Sequence, residues 1–295
     1  MPHAFWNWKK QLINLPYEKH FREKQIPTKA RPIQMNEELL QHCQKEIKDL
    51  LDKSLIRKSK SPWSCAAFYV NKQAELERDT PRLVINYKPL NQALEWIRYP
   101  IPNKKDLLNR LNFAKILSKF DMKSRFWQIQ IQESNRYKTA FTLPFRKYEW
   151  NVMPFGLKKA PSEFQKIMNG ILNPYSKFII VYIDDFLIFS RNIDQHFKDL
   201  ETFIHIIEQN SLAVSKSKIN LFETRIRFLG QNIHQGTIIL IDRSIEFASK
   251  FPNQILDKTQ LQRFLGCLNY VGEFVPYINN IVKPVHDRLK KNPPP

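Results

Sequence analysis

The sequence predicts an α+β fold that ends in a separate helical segment. Three observations carry this reading. Short apolar runs bounded by charged or turn residues recur from about 66 to 241 and read as strands. Helical periodicity appears among them, from Asn36, from Pro161 and from Asp194. After Asp242 the pattern is helical only. Mixed elements followed by a purely helical end suit an α+β body with a helical subdomain.

Residues 1–35 are basic and aromatic (Phe5, Trp6, Trp8, Lys9, Lys10) and read as an arm or a packing strap. From Asn36 a helix carries Leu40, Cys43, Ile47 and Leu51 on one face, with Glu37 and Glu38 in its first turn, and it ends before Ser61-Pro62. Ala66–Asn71 and Leu83–Asn86 read as two strands joined by a charged loop, and Ile116–Asp121 as a further strand. Tyr137–Leu143 and Lys147–Val152 look like a strand pair. A helix starts at Pro161, a favoured first helical residue, and runs through Phe164, Met168 and Ile171. Two apolar strands then flank an acidic turn, Phe178 to Phe189. The helix from Asp194 is expected to turn Phe197, Leu200, Ile204 and Ile207 inward. Short strands fill 217–241, with a turn at His234-Gln235-Gly236. Leu261, Phe264, Leu265 and Leu268 mark one late helix, and about 278–291 another.

Composition narrows the function. The 295 residues hold 47 Lys and Arg against 28 Asp and Glu, a net charge of +19. Such a balance favours a polyanionic partner, nucleic acid or an anionic membrane surface. The apolar run Phe178 to Ile183 is far below the ~20 residues of a membrane span, and the start shows no apolar leader. Three scattered cysteines (Cys43, Cys65, Cys267) exclude a disulfide framework and a cysteine zinc site, and fit a reducing compartment. Glycine-rich phosphate loops are absent.

Asp184-Asp185 is the sharpest feature. Flanks as apolar as Phe178–Tyr182 and Phe186–Phe189 imply burial on both faces. Aspartate is also an ordinary turn residue. Two adjacent carboxylates, however, repel by ~4 kcal/mol at 4 Å for an effective dielectric of 20, and a turn needs no such pair. A divalent cation relieves the repulsion. Asp121 ends the strand Ile116–Phe120 and precedes Phe126-Trp127. Alone it reads as a strand-end cap or a solvated residue. Together, three strand-end carboxylates suit two Mg²⁺ about 4 Å apart, which activate a 3′-hydroxyl and stabilise leaving pyrophosphate.

From about Arg31 to Lys291 the chain resembles reverse transcriptases of long-terminal-repeat retroelements and plant pararetroviruses. The residues that carry the resemblance are Arg31-Pro32 through Leu55-Ile56 and Ser61-Pro62-Trp63; Arg82 to Asn91; Phe120-Asp121 with Phe126-Trp127-Gln128; Met153 to Phe164; Tyr182-Ile183-Asp184-Asp185; and Phe228-Leu229-Gly230. Phe251-Pro252 and Gln262 to Tyr270 look most like the badnavirus and rice tungro bacilliform group.

The resemblance implies a right-hand polymerase with fingers, an antiparallel palm sheet and a helical thumb. It implies an N-terminal arm at 1–30, fingers at 31–98 and 129–158, palm at 99–128 and 159–242, and thumb at 243–295. Asp121, Asp184 and Asp185 are then the catalytic metal ligands, for two Mg²⁺ (Mn²⁺ in vitro). Lys72 and Arg82 contact the incoming triphosphate, since cations offset its charge; Lys72 also fits a solvated loop. Phe126 is the steric gate under the sugar, or a core ring. Phe155 and Gly156 line the nucleotide and template side. Lys218 sits near the pyrophosphate, or on the surface. Phe228, Leu229 and Gly230 form the primer grip, or an apolar strand with a bulge.

Two residues depart from the family pattern: Arg125, where relatives carry Gly or Ala, and Asn86, where they often carry Asp. The implied partners are RNA–DNA and DNA–DNA primer–templates and deoxynucleoside triphosphates, with no membrane. Protease and ribonuclease H regions of the same polyprotein are expected beside it, and Pro293-Pro294-Pro295 reads as the start of a linker. The expected place is the host cytoplasm or virus particle. A non-catalytic binding subunit and a two-metal nuclease are the competing readings; the grip and thumb motifs argue against the nuclease.

Overall fold

The computed structural model describes residues 11–22, 30–70, 81–97, 99–239, 246, 254–272, 275 and 277–289. In chain order its strands are β1 (Leu12–Ile13), β2 (Ile56–Lys58), β3 (Cys65–Val70), β4 (Arg82–Ile85), β5 (Ile116–Asp121), β6 (Gln130–Ile131), β7 (Phe141–Thr142), β8 (Lys147–Trp150), β9 (Ile179–Tyr182), β10 (Asp185–Ser190), β11 (Asn220–Glu223), β12 (Arg225–Phe228), β13 (Gln231–His234) and β14 (Thr237–Ile239). The helices are α1 (Glu37–Asp52), α2 (Lys88–Ala93), α3 (Lys104–Asn109), α4 (Ala160–Leu172), α5 (Ile193–Gln209), α6 (Lys258–Val271) and α7 (Ile278–Asp287).

The central sheet runs β11-β5-β10-β9 and is antiparallel throughout. One face carries Phe120, Ile179, Val181, Phe186 and Ile188 into a core shared with Phe164 and Met168 of α4 and Phe203 of α5. The other carries Leu117, Ile180, Leu187 and Phe189 against α3 and the small sheet β12-β13-β14. Both faces of β9 and β10 are covered, so these two strands read as continuous apolar runs. Each large apolar side chain so buried contributes about 1.5–3 kcal/mol. A second sheet runs β2-β8-β7-β3-β4. Asn36 caps α1, its side chain accepting from Leu39 N at 2.9 Å. The β13–β14 turn passes so close to the chain that a Cβ on Gly236 (φ +78) would collide with the Asn112 carbonyl.

Two expectations need correction. In α5 the inward face is His196, Asp199, Leu200, Phe203, Ile206 and Ile207, whereas Phe197 is 58% and Ile204 51% exposed. The helix is turned so that His196 meets two serines of the sheet. Ser190 Oγ donates to Asp199 Oδ2 (2.7 Å), so it accepts from His196 Nδ1 (2.8 Å), which leaves Nε2 to accept from Ser118 Oγ (2.7 Å). Satisfied hydrogen bonds make burial of these polar groups tolerable. Residues Glu133–Thr139 form 3-10 turns rather than strand, and only Phe141–Thr142 pairs with β8.

Within the N-terminal region, residues 11–22 are a strap. β1 pairs in parallel with β6, Leu15 is fully buried, and Tyr17 and Phe21 pack on Trp63. Two buried lysines hold the strap: Lys138 Nζ donates to Leu15 O at 2.7 Å and Lys159 Nζ to Asn14 O at 3.2 Å. Residues 1–10, the strand-joining loop at 71–80 and the end of the expected last helix at 290–291 lie outside the described residues.

Candidate active site

The β9–β10 hairpin turns through Ile183 and Asp184. Ile183 stands at φ 54, a left-handed conformation that a β-branched residue adopts only under constraint. The constraint comes from α4. Fully buried Gln165 accepts the Ile183 N–H at 2.6 Å and donates to Val181 O (3.3 Å) and Asn169 Oδ1 (2.8 Å). Met122 N adds a bond to Asp184 O at 3.2 Å. Asp185 lies directly across from Asp121 in the β10–β5 register. Three aspartates on two adjacent strands therefore share one end of the sheet.

Each carboxylate is turned onto a cation of the chain. Lys218 Nζ lies 3.1 Å from Asp121 Oδ2, Arg125 Nε 2.5 Å from Asp184 Oδ2, and Lys119 Nζ 3.3 Å from Asp185 Oδ1. As they stand, no three acidic, imidazole or thiol groups among the described residues converge as a metal cage. The donor set nevertheless fits a hard divalent cation: it is oxygen-only, acidic, on adjacent strands, and already draws positive charge. Burial raises the Asp184 carboxyl above its ordinary range. Arg125 opposes that shift, and the charges of Asp185 and Asp121 reinforce it.

After β5 the chain enters a tight 3-10 turn, Arg125–Gln128, through left-handed Ser124 (φ 56) and Arg125 (φ 42). Gln128 ties it down, donating to Lys123 O (2.7 Å) and Ala213 O (2.9 Å) and accepting from Ala213 N (2.8 Å). Phe126 packs against Phe155 and Phe164, with ring centroids 5.3 and 5.7 Å apart. The Arg82 guanidinium sits 5.7 Å from the Phe155 ring centre, which brings β4 to the same neighbourhood. Gly156 has φ +93, and Asn91 clamps its loop by donating to Gly156 O (2.9 Å) and accepting from Lys158 N (2.8 Å). An open cleft of about 500 Å³ lies on that side, lined by Tyr87, Asn91, Gly156 and Lys158 among others.

Phe228 is fully buried; what the β12–β13 hairpin presents is its turn, Leu229 (φ 51) and Gly230 (φ 86). Lys72 lies outside the described residues. The structure thus brings Asp121, Asp184, Asp185 and Lys218 together, and gathers Arg82, Phe126 and Phe155 around one aromatic contact, with Gly156 beside Tyr87. Gln165, Gln128 and Asn91 are positioning residues that the sequence reading passed over. Gln165 leaves a signal: an amide on the same buried helix face as Phe164, Met168 and Leu172.

An antiparallel sheet backed by two helices, with an aspartate hairpin at one end, is the palm of a right-hand polymerase. The chain belongs to the reverse transcriptase (RNA-dependent DNA polymerase) family, whose model matches residues 70–233. It is 44% identical over 292 residues to the genome polyprotein of Petunia vein clearing virus, covering 99% of this chain and 13% of that one. It is 42% identical over 266 residues to the enzymatic polyprotein of Cauliflower mosaic virus, covering 90% of this chain and 39% of that one. These relatives are polyproteins of plant pararetroviruses, and this chain spans well under half of each. Among solved structures, the foamy viral protease-reverse transcriptase in complex with dsDNA superposes with a TM-score of 0.77 at 25% identity, over 88% of this chain and 53% of that one. Polymerases of this family use divalent metal ions. Among the described residues no helix is long and apolar enough to cross a membrane.

Proposed function

We propose that this chain is the polymerase region of a plant pararetroviral polyprotein and copies RNA and DNA templates into DNA. The observation that carries the reading is the β5–β10 register, which sets Asp121 beside Asp185 and next to Asp184. These carboxylates would hold two divalent ions, Mg²⁺, with Mn²⁺ as a substitute in vitro. The bound ions supply activation of the primer 3′-hydroxyl and charge neutralisation on the leaving pyrophosphate.

The chain's own residues do the rest. Gln165 keeps the Asp184-Asp185 turn in place. Arg82 and Lys72 draw the triphosphate of the incoming deoxynucleotide, and Lys218 stands by the leaving pyrophosphate. Phe126, held by Phe155 and Phe164, closes the space a ribose 2′-hydroxyl needs. Gly156 lets the backbone approach the nucleotide and template, and the Leu229-Gly230 turn seats the primer end.

In this reading the fingers (31–98, 129–158) hold the sheet β2-β8-β7-β3-β4, the palm (99–128, 159–242) holds β11-β5-β10-β9, and the thumb (243–295) holds α6 and α7. Basic residues contact the phosphates of RNA–DNA and DNA–DNA duplexes, and protease and ribonuclease H regions of the same polyprotein work beside it in host cytoplasm or particle. Primer extension with Mg²⁺ on RNA and DNA templates tests the reading. Elongation on both, abolished in Asp185→Asn, is expected. Binding of primer–template without extension would favour a non-catalytic subunit, and cleavage without extension a nuclease.

A further inference from the structure

Arg125 has no counterpart elsewhere in the site. Its backbone lies at φ 42, directly after Ser124 at φ 56, in a region that favours glycine. A long cation stands there instead. Its Nε reaches to 2.5 Å of Asp184 Oδ2, with the arginine side chain 44% exposed and the aspartate side chain 17%. The guanidinium sets a positive charge directly against that carboxylate. A divalent ion approaching Asp184 meets it head-on. The same guanidinium is planar, forked and open to solvent on one side, which suits it to phosphate oxygens.

We propose that Arg125 is a tethered competitor for the metal site. It occupies Asp184 in the free protein and moves onto the phosphates of the incoming triphosphate, so that release of the carboxylate and capture of the nucleotide are one exchange. The proposal rests on the polymerase reading and adds a residue to it. Lys119 and Lys218 pair with the two neighbouring aspartates, but each is a compact ammonium and lacks the guanidinium's two-pronged match to phosphate.

Two arms test it on the whole chain, comparing the parent with Arg125→Gly, which suits the left-handed backbone, and Arg125→Gln, which keeps side-chain length and removes charge. In the first arm Mn²⁺ alone is titrated and free ion is followed by its paramagnetic resonance signal. Both variants are expected to bind Mn²⁺ about two- to fivefold tighter than the parent, the range of a partly exposed ion pair. In the second arm a fluorescent deoxynucleoside triphosphate is titrated in excess chelator, and Arg125→Gln is expected to bind it several-fold more weakly. Unchanged Mn²⁺ affinity in both variants, or unchanged triphosphate affinity in Arg125→Gln, overturns the exchange. Asp184→Asn separates the levels. If it loses Mn²⁺ binding while the Arg125 variants match the parent, the exchange alone fails. If it binds Mn²⁺ like the parent, the metal reading of the site fails and takes the exchange with it.

Discussion

Along β5, Ser118 and Asp121 begin two polar clusters that share one sheet and are built on opposite terms. Around Ser118 every group is matched. Ser118, His196, Ser190 and Asp199 form one chain of hydrogen bonds, all four buried, with Phe222 N and Gln195 adding bonds at its ends. Around Asp121 the matching is loose: three carboxylates, three cations, a left-handed Ile183 and a left-handed Arg125, with Arg125 and Lys218 open to solvent. The closed cluster has nothing left to offer a ligand. The open one keeps charge in reserve and backbone under constraint, as functional sites do.

The sharpest way to break this comparison is to neutralise each cluster. On the proposed reading, Asp185→Asn or Asp184→Asn is expected to lower primer extension about 10³-fold or more, because several kcal/mol of transition-state stabilisation would then pass through the acidic cluster. The unfolding midpoint should scarcely move. Near-native extension by either folded variant would show that the open cluster is not the catalytic one.

His196→Ala is expected to behave in reverse. It strands Ser118, Ser190 and Asp199 in the core, a loss of about 2–4 kcal/mol in stability by urea unfolding. Extension per folded molecule should stay within about threefold of the parent; a larger drop would mean that the closed cluster also shapes the site.

Gln165→Ala lies between the two, because Gln165 belongs to a buried helix face yet holds the acidic turn. Its removal orphans the Ile183 N–H, worth about 1–2 kcal/mol. Single-nucleotide incorporation should fall about tenfold with secondary structure unchanged. An unaltered rate would show that Met122 and the strand register suffice to hold the turn.

The smallest effect is that of pH. Burial holds His196 below its ordinary value of 6.5, with Asp199 opposing the shift. The folded state therefore disfavours the imidazolium. Its contribution to stability is complete above about 6.5 and is lost as pH falls toward the folded value. Unfolding midpoints compared at neutral and mildly acidic pH should show this loss in the parent and a shallower slope in His196→Ala. Equal slopes would place the acid sensitivity elsewhere.

Much of this was legible in the sequence because it depends on local pattern. Continuous apolar flanks announced a sheet covered on both faces around Asp184-Asp185, Pro161 marked the start of α4, and the order of motifs identified the family. The helix from Asp194 shows the limit. Its apolar residues Phe197 and Ile204 suggested one face, but the chain buries His196 and Asp199 instead. Hydrophobic periodicity weighs each side chain by its own cost of leaving water; it carries no term for a partner 78 residues away, which is where His196 finds Ser118. The strap at 11–22 was ambiguous for the same reason, since what seats it is Lys138 and Lys159, far along the chain.

By itself the sequence determined the order of the longer strands and helices, three aspartates at or beside strand ends, the cationic surplus and the family. Tertiary structure alone decided which cation each aspartate meets, that Gln165 holds the Asp184-Asp185 turn, that Phe228 is core and only its turn is presented, and that Arg125 lies on Asp184. The physical reason is that strands and turns answer to their own residues, whereas charge pairing and burial of polar groups answer to whatever the fold brings within a few ångströms.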